Sequence, residues 1–232
     1  MIMNELEREA LSIIEIALAL DKKPVILFSG GKDSTVLLHL VRLVKNDVPA
    51  MFNNTGVEAP QTVKYCDTIP NILINHPEEG VNFWKIVDKY GFPGLKSKNK
   101  DGNKCCVYLK EKPGNRRIAT EGFEILFSGL TLWESWQRRR LLKSRGPLYY
   151  NKTQNVWKCN PIWNWKEDDV WNYIKKNNII YNPGYDTGWK RCGCLPCTAH
   201  SNWQQRLERE NPRLLRIVLR KRYGQRQCMD FF

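Results

Sequence analysis

A short run of glycine, serine and charged residues, Ser29-Gly30-Gly31-Lys32-Asp33-Ser34, has the composition of an anion-binding loop. The run follows the aliphatic residues 25–28 and precedes an apolar segment of helical period, so it predicts a strand, a tight turn and a helix N-terminus. The glycines let the backbone approach a phosphate, the first N–H groups of the helix point towards it, and Lys32 adds a positive charge. Ser29 and Ser34 can donate hydrogen bonds to the same oxygens. The spacing is not that of a Walker A motif, and the plainer alternative is a turn before an ordinary capped helix.

Cysteines form a second group with the potential for metal chemistry. Cys105 and Cys106 are adjacent, and Cys194 and Cys197 form a Cys-x-x-Cys unit. Two such pairs supply four thiolates, which suit either a structural zinc ion or an iron–sulfur cluster. Adjacent cysteines have a poor bite for a single tetrahedral ion, which favours the cluster. Cys192 is a competing ligand.

The composition indicates a globular protein with one large α/β domain. The chain has 232 residues, of which 42% are hydrophobic and 26% are charged, and this is ordinary for a globular chain with a substantial core. No apolar run reaches the ~18 residues of a membrane span, and the N-terminus lacks a signal-peptide pattern. We therefore expect a cytoplasmic protein without membrane contact. Eight cysteines in that compartment favour metal or catalytic use over disulfides, while Cys66 and Cys159 are predicted to be small core residues.

The formal net charge of +13 predicts an anionic partner. Basic residues cluster at 138–140, at 143–145 and at 213–226. A basic surface suits nucleic acid or a phosphorylated nucleotide. Solvated helix faces are the alternative explanation.

The elements around the loop predict a parallel sheet. Residues 1–20 carry an apolar stripe of helical period, Pro24 begins the first strand, and 48–52 is a second buried strand. Strand, helix and strand at this spacing form a βαβ unit. Ligands of such sheets lie at the carboxyl ends of the strands, so we expect Asn54, Thr55 and Gly56 beside the loop.

The later elements continue the alternation of strands and helices. Pro113-Gly114 predicts a break, and residues 129–140 follow the carboxyl end of a strand, again on the ligand side. We predict helices at 62–69, 83–90 and 166–174, strands at 72–75 and 123–129, a strand and turn at 157–165, and a loop at 96–104.

Two motifs identify a family resemblance. The loop resembles the Ser-Gly-Gly-x-Asp-Ser pyrophosphate loop of the adenine nucleotide alpha hydrolase superfamily, which includes ATP pyrophosphatases. The segment Gly129 to Arg138 resembles the Gly-x-Arg-x-x-Glu/Gln-Ser-x-x-Arg segment of phosphoadenylyl-sulfate and adenylyl-sulfate reductases, with Thr131 replacing the usual arginine. The resemblance covers about residues 26–198 and implies a Rossmann-like, doubly wound α/β fold. It implies that Gly129 and Ser135 contact the nucleotide and that Arg138 clamps a phosphate or sulfate.

The cysteine segments also resemble a family signature. The adjacent pair, Lys110 and the segment Gly193 to Thr198 look like the 4Fe-4S signature of adenylyl-sulfate reductases. In that family the lysine links the cluster to the substrate electrostatically, and the resemblance implies this role for Lys110. It implies four cluster ligands: Cys105, Cys106, Cys194 and Cys197.

The sequence departs from the reductases in two places. The Glu-Cys-Gly-x-His segment with the nucleophilic cysteine is missing, and Cys228 is the tail cysteine that could replace it, since Arg222 and Arg226 would lower its pKa. The loop is also more complete than in many reductases and resembles that of ATP-cleaving relatives, in which Mg²⁺ is usual. Lys32 and Asp33 are therefore candidate catalytic residues, Asp33 through metal or ligand orientation.

These observations predict a nucleotide-binding domain with an iron–sulfur site over residues 1–200 and a basic, helical C-terminal tail over 201–232. The expected function is adenylylation of an acceptor by ATP for sulfur incorporation, as in DNA phosphorothioation or tRNA thiolation. One alternative is an adenylyl-sulfate or phosphoadenylyl-sulfate reductase that produces sulfite; another is a non-catalytic nucleotide-binding subunit of a sulfur-transfer complex. The expected cofactors are a 4Fe-4S cluster, ATP or adenylyl sulfate, and Mg²⁺. The expected partners are a cysteine desulfurase or thioredoxin-like donor, nucleic acid and a second copy of the chain.

Overall fold

A computed structural model describes residues 3–94 and 103–224 of the chain. The elements, in chain order, are α1 (Glu5–Leu18), β1 (Pro24–Phe28), α2 (Lys32–Val44), β2 (Ala50–Asn53), α3 (Pro60–Asp67), β3 (Ile72–Asn75), α4 (Phe83–Tyr90), α5 (Lys104–Cys106), a π-helical turn (Val107–Glu111), α6 (Lys112–Glu121), β4 (Ile125–Ser128), α7 (Trp136–Arg145), β5 (Leu148–Asn151), β6 (Val156–Cys159), α8 (Glu167–Lys176), a 3₁₀ turn (Pro183–Thr187), α9 (Trp203–Glu210) and α10 (Pro212–Tyr223).

The strands form one sheet in the order β3-β2-β1-β4-β6-β5. β1 pairs in parallel with β2 and with β4, and β4 pairs in parallel with β6. β5 is antiparallel to β6 and lies at the edge of the sheet. The parallel strands therefore direct their carboxyl ends to one edge, where sheets of this type bind ligands.

The central strand β1 shows why both faces of the sheet are covered. Its side chains alternate between two apolar clusters: Ile26 and Phe28 pack with residues of α1, α2 and α8, whereas Val25 and Leu27 pack with Phe123 and with residues of β2, β4 and α6. A strand that is apolar on both faces requires helices on both, as in a doubly wound fold. The predicted fold class is confirmed.

The contacts divide the chain into two units. The first comprises residues 1–52, 60–75 and 116–192 and contains most of the sheet. The second comprises residues 53–59, 76–115 and 193–232, and its core consists of two apolar clusters around Phe83 and Leu109 and around Trp203 and Leu207. The predicted boundary at residue 200 stays a prediction. Within residues 3–94 and 103–224, no helix has the length and apolar character to cross a membrane.

The prediction of a break at Pro113-Gly114 is wrong. The chain is helical from Lys104 to Glu121, and Pro113 and Gly114 are buried near the start of α6. Proline has no N–H to donate and crowds the preceding turn. The turn before it widens into a π-helix in which the N–H of Lys112 bonds to the carbonyl of Val107, so the helix passes through the proline.

The stability of the first unit should depend on the protonation of His39. The Nδ1 atom of His39 in α2 lies 2.9 Å from the hydroxyl of Tyr173 in α8, and burial lowers the pKa of His39 below its ordinary value of 6.5. At a pH between the folded and the unfolded pKa of His39, the unfolded chain therefore binds a proton that the folded chain does not. This contribution to stability is complete above the unfolded pKa and is lost as the pH falls through the folded pKa.

We therefore expect His39→Gln to reduce the loss of stability between about pH 7.5 and pH 5.5. Urea unfolding at several pH values measures this loss. His76→Gln, at an exposed histidine, is the control and should follow the parent curve. Equal pH dependence in the parent and in His39→Gln would contradict the assignment.

Candidate nucleotide and cysteine sites

The loop between β1 and α2 has the geometry of an anion site. Gly30 has a φ of 73°, which favours glycine, and α2 begins at Lys32 directly after Gly31. The hydroxyl of Ser34 donates to the Gly31 carbonyl at 2.8 Å and accepts from the Ser29 amide at 3.3 Å. The two hydroxyl oxygens, of Ser29 and Ser34, are 3.1 Å apart. These contacts hold the loop in place beside the N–H groups of the first turn of α2, which are the groups that bind anions at a helix N-terminus.

A buried asparagine holds the loop from a distant part of the chain. Asn182 is 0% exposed, and its side-chain amide donates to the Gly30 carbonyl at 3.2 Å and to the Thr62 hydroxyl at 2.9 Å. A side chain at position 30 would also meet Thr62, because an added Cβ would lie 2.9 Å from its methyl group. Sequence reasoning missed Asn182 and Thr62, since their contacts span more than 30 positions.

Tyr185 and Cys192 complete the surroundings of the loop. The Tyr185 hydroxyl accepts a hydrogen bond from the Lys32 amide at 3.1 Å, and burial raises the pKa of Tyr185. The Cys192 thiol donates to the Gly30 carbonyl at 3.4 Å. Cys192 thus contacts the loop in the first unit, whereas the four predicted cluster ligands all fall in the second.

The positive charge of Lys32 is largely buried and faces two carboxylates. Its side chain is 11% exposed, and its ammonium nitrogen lies 3.3 Å from an oxygen of Asp33 and 3.5 Å from one of Glu167. Glu167 stands in the first turn of α8, within the helix that the sequence predicted at 166–174 without a role for this residue. The site therefore presents one ammonium and two carboxylates beside the loop, a set that can bind both phosphate oxygens and a cation.

The segment after β4 packs against the same helical turn. A Cβ added at Gly129 would lie 3.1 Å from the carbonyl carbon and oxygen of Asp33. Ser135 caps α7 by accepting from the Arg138 amide at 3.2 Å, and Arg138 pairs with Glu134. Burial lowers the pKa of Arg138, with a smaller effect of the neighbouring Arg191, while the charge of Asp33 opposes both. The structure thus brings Gly129 against Asp33, and the charge of Asp33 reaches Arg138; the predicted contacts of Gly129, Ser135 and Arg138 with a nucleotide stay predictions.

The predicted nucleotide residues after β2 fall in the second unit. Asn54 closes a turn by accepting from the amide of Gly56 at 3.0 Å, and Gly56 has a φ of 76°. The Thr55 hydroxyl donates to Glu58 at 3.1 Å and lies 3.5 Å from the sulfur of Cys194. Thr55 therefore belongs to the surroundings of the cysteines, and its predicted contact with a nucleotide stays a prediction.

The Cys194 to Cys197 loop is anchored by backbone contacts. Cys194 and Glu58 form an antiparallel bridge, and the Leu195 amide donates to the Val57 carbonyl at 2.8 Å. Arg206 in α9 donates to the carbonyls of Cys194 at 3.2 Å, Leu195 at 2.5 Å and Cys197 at 3.4 Å. One guanidinium thus holds three carbonyls of the loop and adds a positive charge next to it.

Among the described residues of the second unit, the predicted cluster ligands affect the pKa values of their cysteine neighbours. A hydrogen bond with Cys106 and burial raise the pKa of Cys105, and the charges of Cys197 and Cys194 act in the same direction. The Cys105 hydrogen bond and the charge of Lys110 lower the pKa of Cys106 to about 7, against the effect of burial. Burial raises the pKa of Cys194 to about 11. The charges of Cys194 and Cys197 thus reach Cys105, and that of Cys197 reaches Cys194.

Lys110 balances a buried acid next to these thiols. Its ammonium nitrogen is 3.2 Å from the carboxylate of Glu58, whose side chain is 3% exposed. Burial acts to lower the pKa of Lys110, but the charges of Cys194 and Glu58 outweigh it and raise that pKa. The Cys194 thiol donates to the same carboxylate at 3.4 Å. Glu58 is a further residue of this site, which sequence reasoning did not single out.

These residues fit a thiolate-bound, negatively charged group in their chemistry. Four thiols, Lys110 and Arg206 are gathered in one unit, and the two cations suit the charge of such a group. In residues 3–94 and 103–224, however, no group of three or more His, Cys, Asp or Glu side chains has the spacing of a metal site. The types of residue therefore fit such a group, whereas the positions of their side chains do not form a ready-made metal site. Cys228 lies outside the described residues.

A mostly parallel sheet with helices on both faces and a glycine-rich loop after its first strand places this chain among the doubly wound α/β proteins. Residues 23–200 match the phosphoadenosine phosphosulfate reductase domain, so the chain belongs to that family. The adenosine 5'-phosphosulfate reductase of Geobacillus thermodenitrificans is 32% identical over 74% of this chain and 71% of its own length. The predicted family is confirmed.

Other relatives differ in length. Two uncharacterized proteins of Methanocaldococcus jannaschii are each 31% identical to the chain, over 86% and 92% of it. The chain spans about half the length of these relatives, 48% and 44%.

Solved structures share the fold. The phosphoadenylyl-sulfate reductase of Candida auris has a TM-score of 0.61 at 20% identity and covers 84% of this chain and 97% of its own. The U34-tRNA thiolase of Methanococcus maripaludis, solved with its 4Fe-4S cluster, has a TM-score of 0.50 at 17% identity and covers 98% of this chain and 80% of its own. At these identities the likeness concerns the fold alone.

The close approach at Gly129 gives a test of the site geometry. We expect Gly129→Ala to lower the free energy of unfolding by about 1–3 kcal/mol, because the new methyl group meets backbone atoms that cannot rotate away. Urea unfolding measures the change. Gly94→Ala is the control, since an added Cβ there meets no atom within 4 Å. An equal effect of both substitutions would contradict the packing described here.

Proposed function

We propose that this chain is an ATP pyrophosphatase that adenylylates an acceptor oxygen so that sulfur can replace it. In the first step the acceptor oxygen attacks the α-phosphorus of ATP, the bond to the bridging oxygen of the β-phosphate breaks, and pyrophosphate leaves. In the second step a sulfur nucleophile attacks the activated acceptor atom and AMP leaves with the former acceptor oxygen. The complete loop from Ser29 to Ser34 carries the proposal.

The loop supports this chemistry because it suits two linked phosphates. The N–H groups of the first turn of α2, the hydroxyls of Ser29 and Ser34 and the ammonium of Lys32 are gathered around Gly30 and Gly31. Fixed donors and cations of this kind stabilise the charge that develops on leaving pyrophosphate. A sulfonucleotide has no β,γ-pyrophosphate, so the reductase reaction does not require this set.

Other groups of the first unit would orient the nucleotide. Arg138 carries a planar guanidinium at the start of α7, near the charge of Asp33, and can hold a phosphate through two parallel hydrogen bonds. Asp33 and Glu167 are the carboxylates that would hold Mg²⁺, which supplies charge neutralisation for the phosphates when bound. Gly129, directly after β4, allows the chain to lie close to the first turn of α2.

The proposal includes a 4Fe-4S cluster held by Cys105, Cys106, Cys194 and Cys197. Such a cluster, when bound, supplies electron-transfer or sulfur-binding chemistry. Arg206 orients the Cys194 to Cys197 loop through three carbonyls. Lys110 holds a positive charge next to Cys194 and Cys106, with Glu58 as its carboxylate partner. A positive charge at this position favours thiolate over thiol.

The acceptor, donor and compartment belong to the same proposal. The acceptor would be nucleic acid, as in DNA phosphorothioation or tRNA thiolation, since the net charge is +13. A cysteine desulfurase or a thioredoxin-like protein would supply sulfur or electrons to a cytoplasmic enzyme that assembles with a second copy of itself. These partners are proposed for the whole protein, because the chain spans only about half of its archaeal relatives.

The family favours one alternative, a reductase that releases sulfite. The adenosine 5'-phosphosulfate reductases of Staphylococcus haemolyticus and Geobacillus thermodenitrificans are 31% and 32% identical to this chain. In that function the Cys228 thiolate would attack the sulfur of adenylyl sulfate, AMP would leave, and a thiol donor would reduce the product and release sulfite. A nucleotide-binding subunit without turnover is the third candidate.

We expect Lys32→Met to lower pyrophosphate release from ATP by about 100-fold or more, because it removes the loop's positive charge. Anaerobically purified protein is assayed with ATP and acceptor nucleic acid. Lys45→Gln, at an exposed lysine just after α2, is the control and should retain the parent rate. Unchanged turnover in Lys32→Met would contradict the proposed role of the loop.

The same preparations distinguish the alternatives. Sulfite release from adenylyl sulfate or its 3'-phosphorylated form, abolished by Cys228→Ser, would establish the reductase and overturn the proposal. A complex with a sulfurtransferase that is lost in Lys32→Met, without turnover in the parent, would indicate the non-catalytic subunit.

The cluster is tested through metal content. We expect Cys197→Ser to lose most of its iron and visible absorption after anaerobic reconstitution, because one of four ligands is missing. Cys192→Ser is the matched control, because Cys192 contacts the nucleotide loop, and should retain the parent's iron-to-protein ratio. Loss of iron in the Cys192 variant alone, or stoichiometric zinc in the parent, would contradict the proposed ligands.

A further inference from the structure

Helix α7 is unusually basic and has almost no apolar face. Its ten residues, Trp136–Arg145, include four arginines and one lysine and no acidic residue, and Leu142 is the one that is buried. A helix that packs on a core normally buries a continuous stripe of apolar side chains. Most of the surface of α7 is therefore available for another partner.

Two tryptophans at the start of this helix are exposed. Trp133 is 51% exposed and Trp136 is 68% exposed. The guanidinium of Arg139 lies over the ring of Trp133 at 5.0 Å, and that of Arg140 lies over the ring of Trp136 at 5.6 Å. Lys166 also lies over the Trp133 ring at 5.6 Å, so Trp133 carries two cations and Trp136 carries one, while both residues remain at least half exposed.

An arginine also lies over an aromatic ring at the other end of the helix. Arg145, the last residue of α7, lies over the ring of Tyr149 at 5.3 Å. Tyr149 belongs to β5, the strand at the edge of the sheet, and its neighbour Tyr150 is 41% exposed. Nine positions separate Trp136 from Arg145, so at about 100° per residue Arg145 lies on the opposite side of α7 from Trp136, and the Arg145–Tyr149 pair is a separate contact.

We propose that this face of the first unit, the α7 surface, binds a single-stranded nucleic acid; it consists of Trp133, Trp136, Arg139 and Arg140. Bases of a single strand can stack on aromatic rings and on guanidinium planes, while the phosphates meet the positive charges. An acidic protein would satisfy the arginines but would leave the tryptophan faces uncovered. A duplex would do the same, because its bases are stacked on one another.

The position of the α7 surface connects it with the nucleotide loop. Gly129 packs against the first turn of α2, and Trp133 follows it by four residues in the same unit. The α7 surface therefore begins a few residues after the segment that packs against the nucleotide loop. This inference rests on the proposed function and makes it more specific. The acceptor is a single-stranded region of RNA or DNA.

Binding is tested with the full chain and labelled strands of about 12 nucleotides, within the usual site size. Fluorescence anisotropy compares an oligouridine, an oligothymidine and a duplex of equal length over a series of salt concentrations. We expect single strands to bind more tightly than the duplex. Trp136→Ala should weaken single-strand binding by about tenfold, and Arg140→Gln should lower the salt slope by about 0.7 for one lost phosphate contact.

Two variants outside the surface serve as controls. Ile180→Ala removes an apolar side chain that is 81% exposed, and Lys45→Gln removes an exposed positive charge. Both should bind as the parent does. A preference for oligouridine would indicate an RNA acceptor and one for oligothymidine a DNA acceptor. Equal affinities in the parent and in both α7 variants, or a parent that prefers the duplex, would overturn the inference.

The experiment separates this inference from the proposed function. Strand binding is measured without ATP, whereas pyrophosphate release is measured separately in the same preparations. Binding that depends on Trp136, without pyrophosphate release, would support the surface and contradict the enzyme. Pyrophosphate release without any strand binding would support the enzyme and contradict the α7 surface.

Discussion

The loop between β1 and α2 must turn tightly and hold its carbonyl and hydroxyl groups away from the leading N–H groups of α2, of which that of Lys32 bonds to the Tyr185 hydroxyl, and the organisation of the first unit follows from this constraint. Gly30 turns the chain sharply after β1, and Gly129 lets the exit of β4 approach the turn without a Cβ. Asn182 fixes the carbonyl of Gly30 from the opposite end of the sequence. The parallel pairing of β1 with β2 and β4 then opens this turn to the ligand edge of the sheet.

The positive charges of the protein are of two kinds that differ in burial. Lys32 is largely buried and Lys110 is partly buried, and both are matched by carboxylates, those of Asp33 and Glu167 for the former and the buried Glu58 for the latter. Buried ions require such partners because desolvation is costly. The arginines of α7 instead lie over exposed aromatic rings, where the cost of desolvation is small.

Sequence reasoning succeeded where the determinants are local. The strand, loop and helix around Gly30 follow from neighbouring residues, and α4 begins and ends where its periodicity predicts. The strand β5 was missed because its signal is weak and its structure comes from antiparallel pairing with β6. Asn182 and Tyr185 act on the loop across more than 150 positions, so no local pattern reveals them. The grouping of residues 53–59 with distant segments likewise depends on contacts between them.

The π-helical turn at Val107–Glu111 fixes the phase between two helical segments. It accommodates one residue more than an α-helical turn, so the side chains after it are rotated by about 100° relative to an uninterrupted α-helix. Deletion of a single residue there would rotate Cys105 and Cys106 by about 100° relative to α6 and would leave Pro113 to crowd a regular α-helical turn. The number of residues between the cysteine pair and the proline is therefore constrained as strictly as their identities.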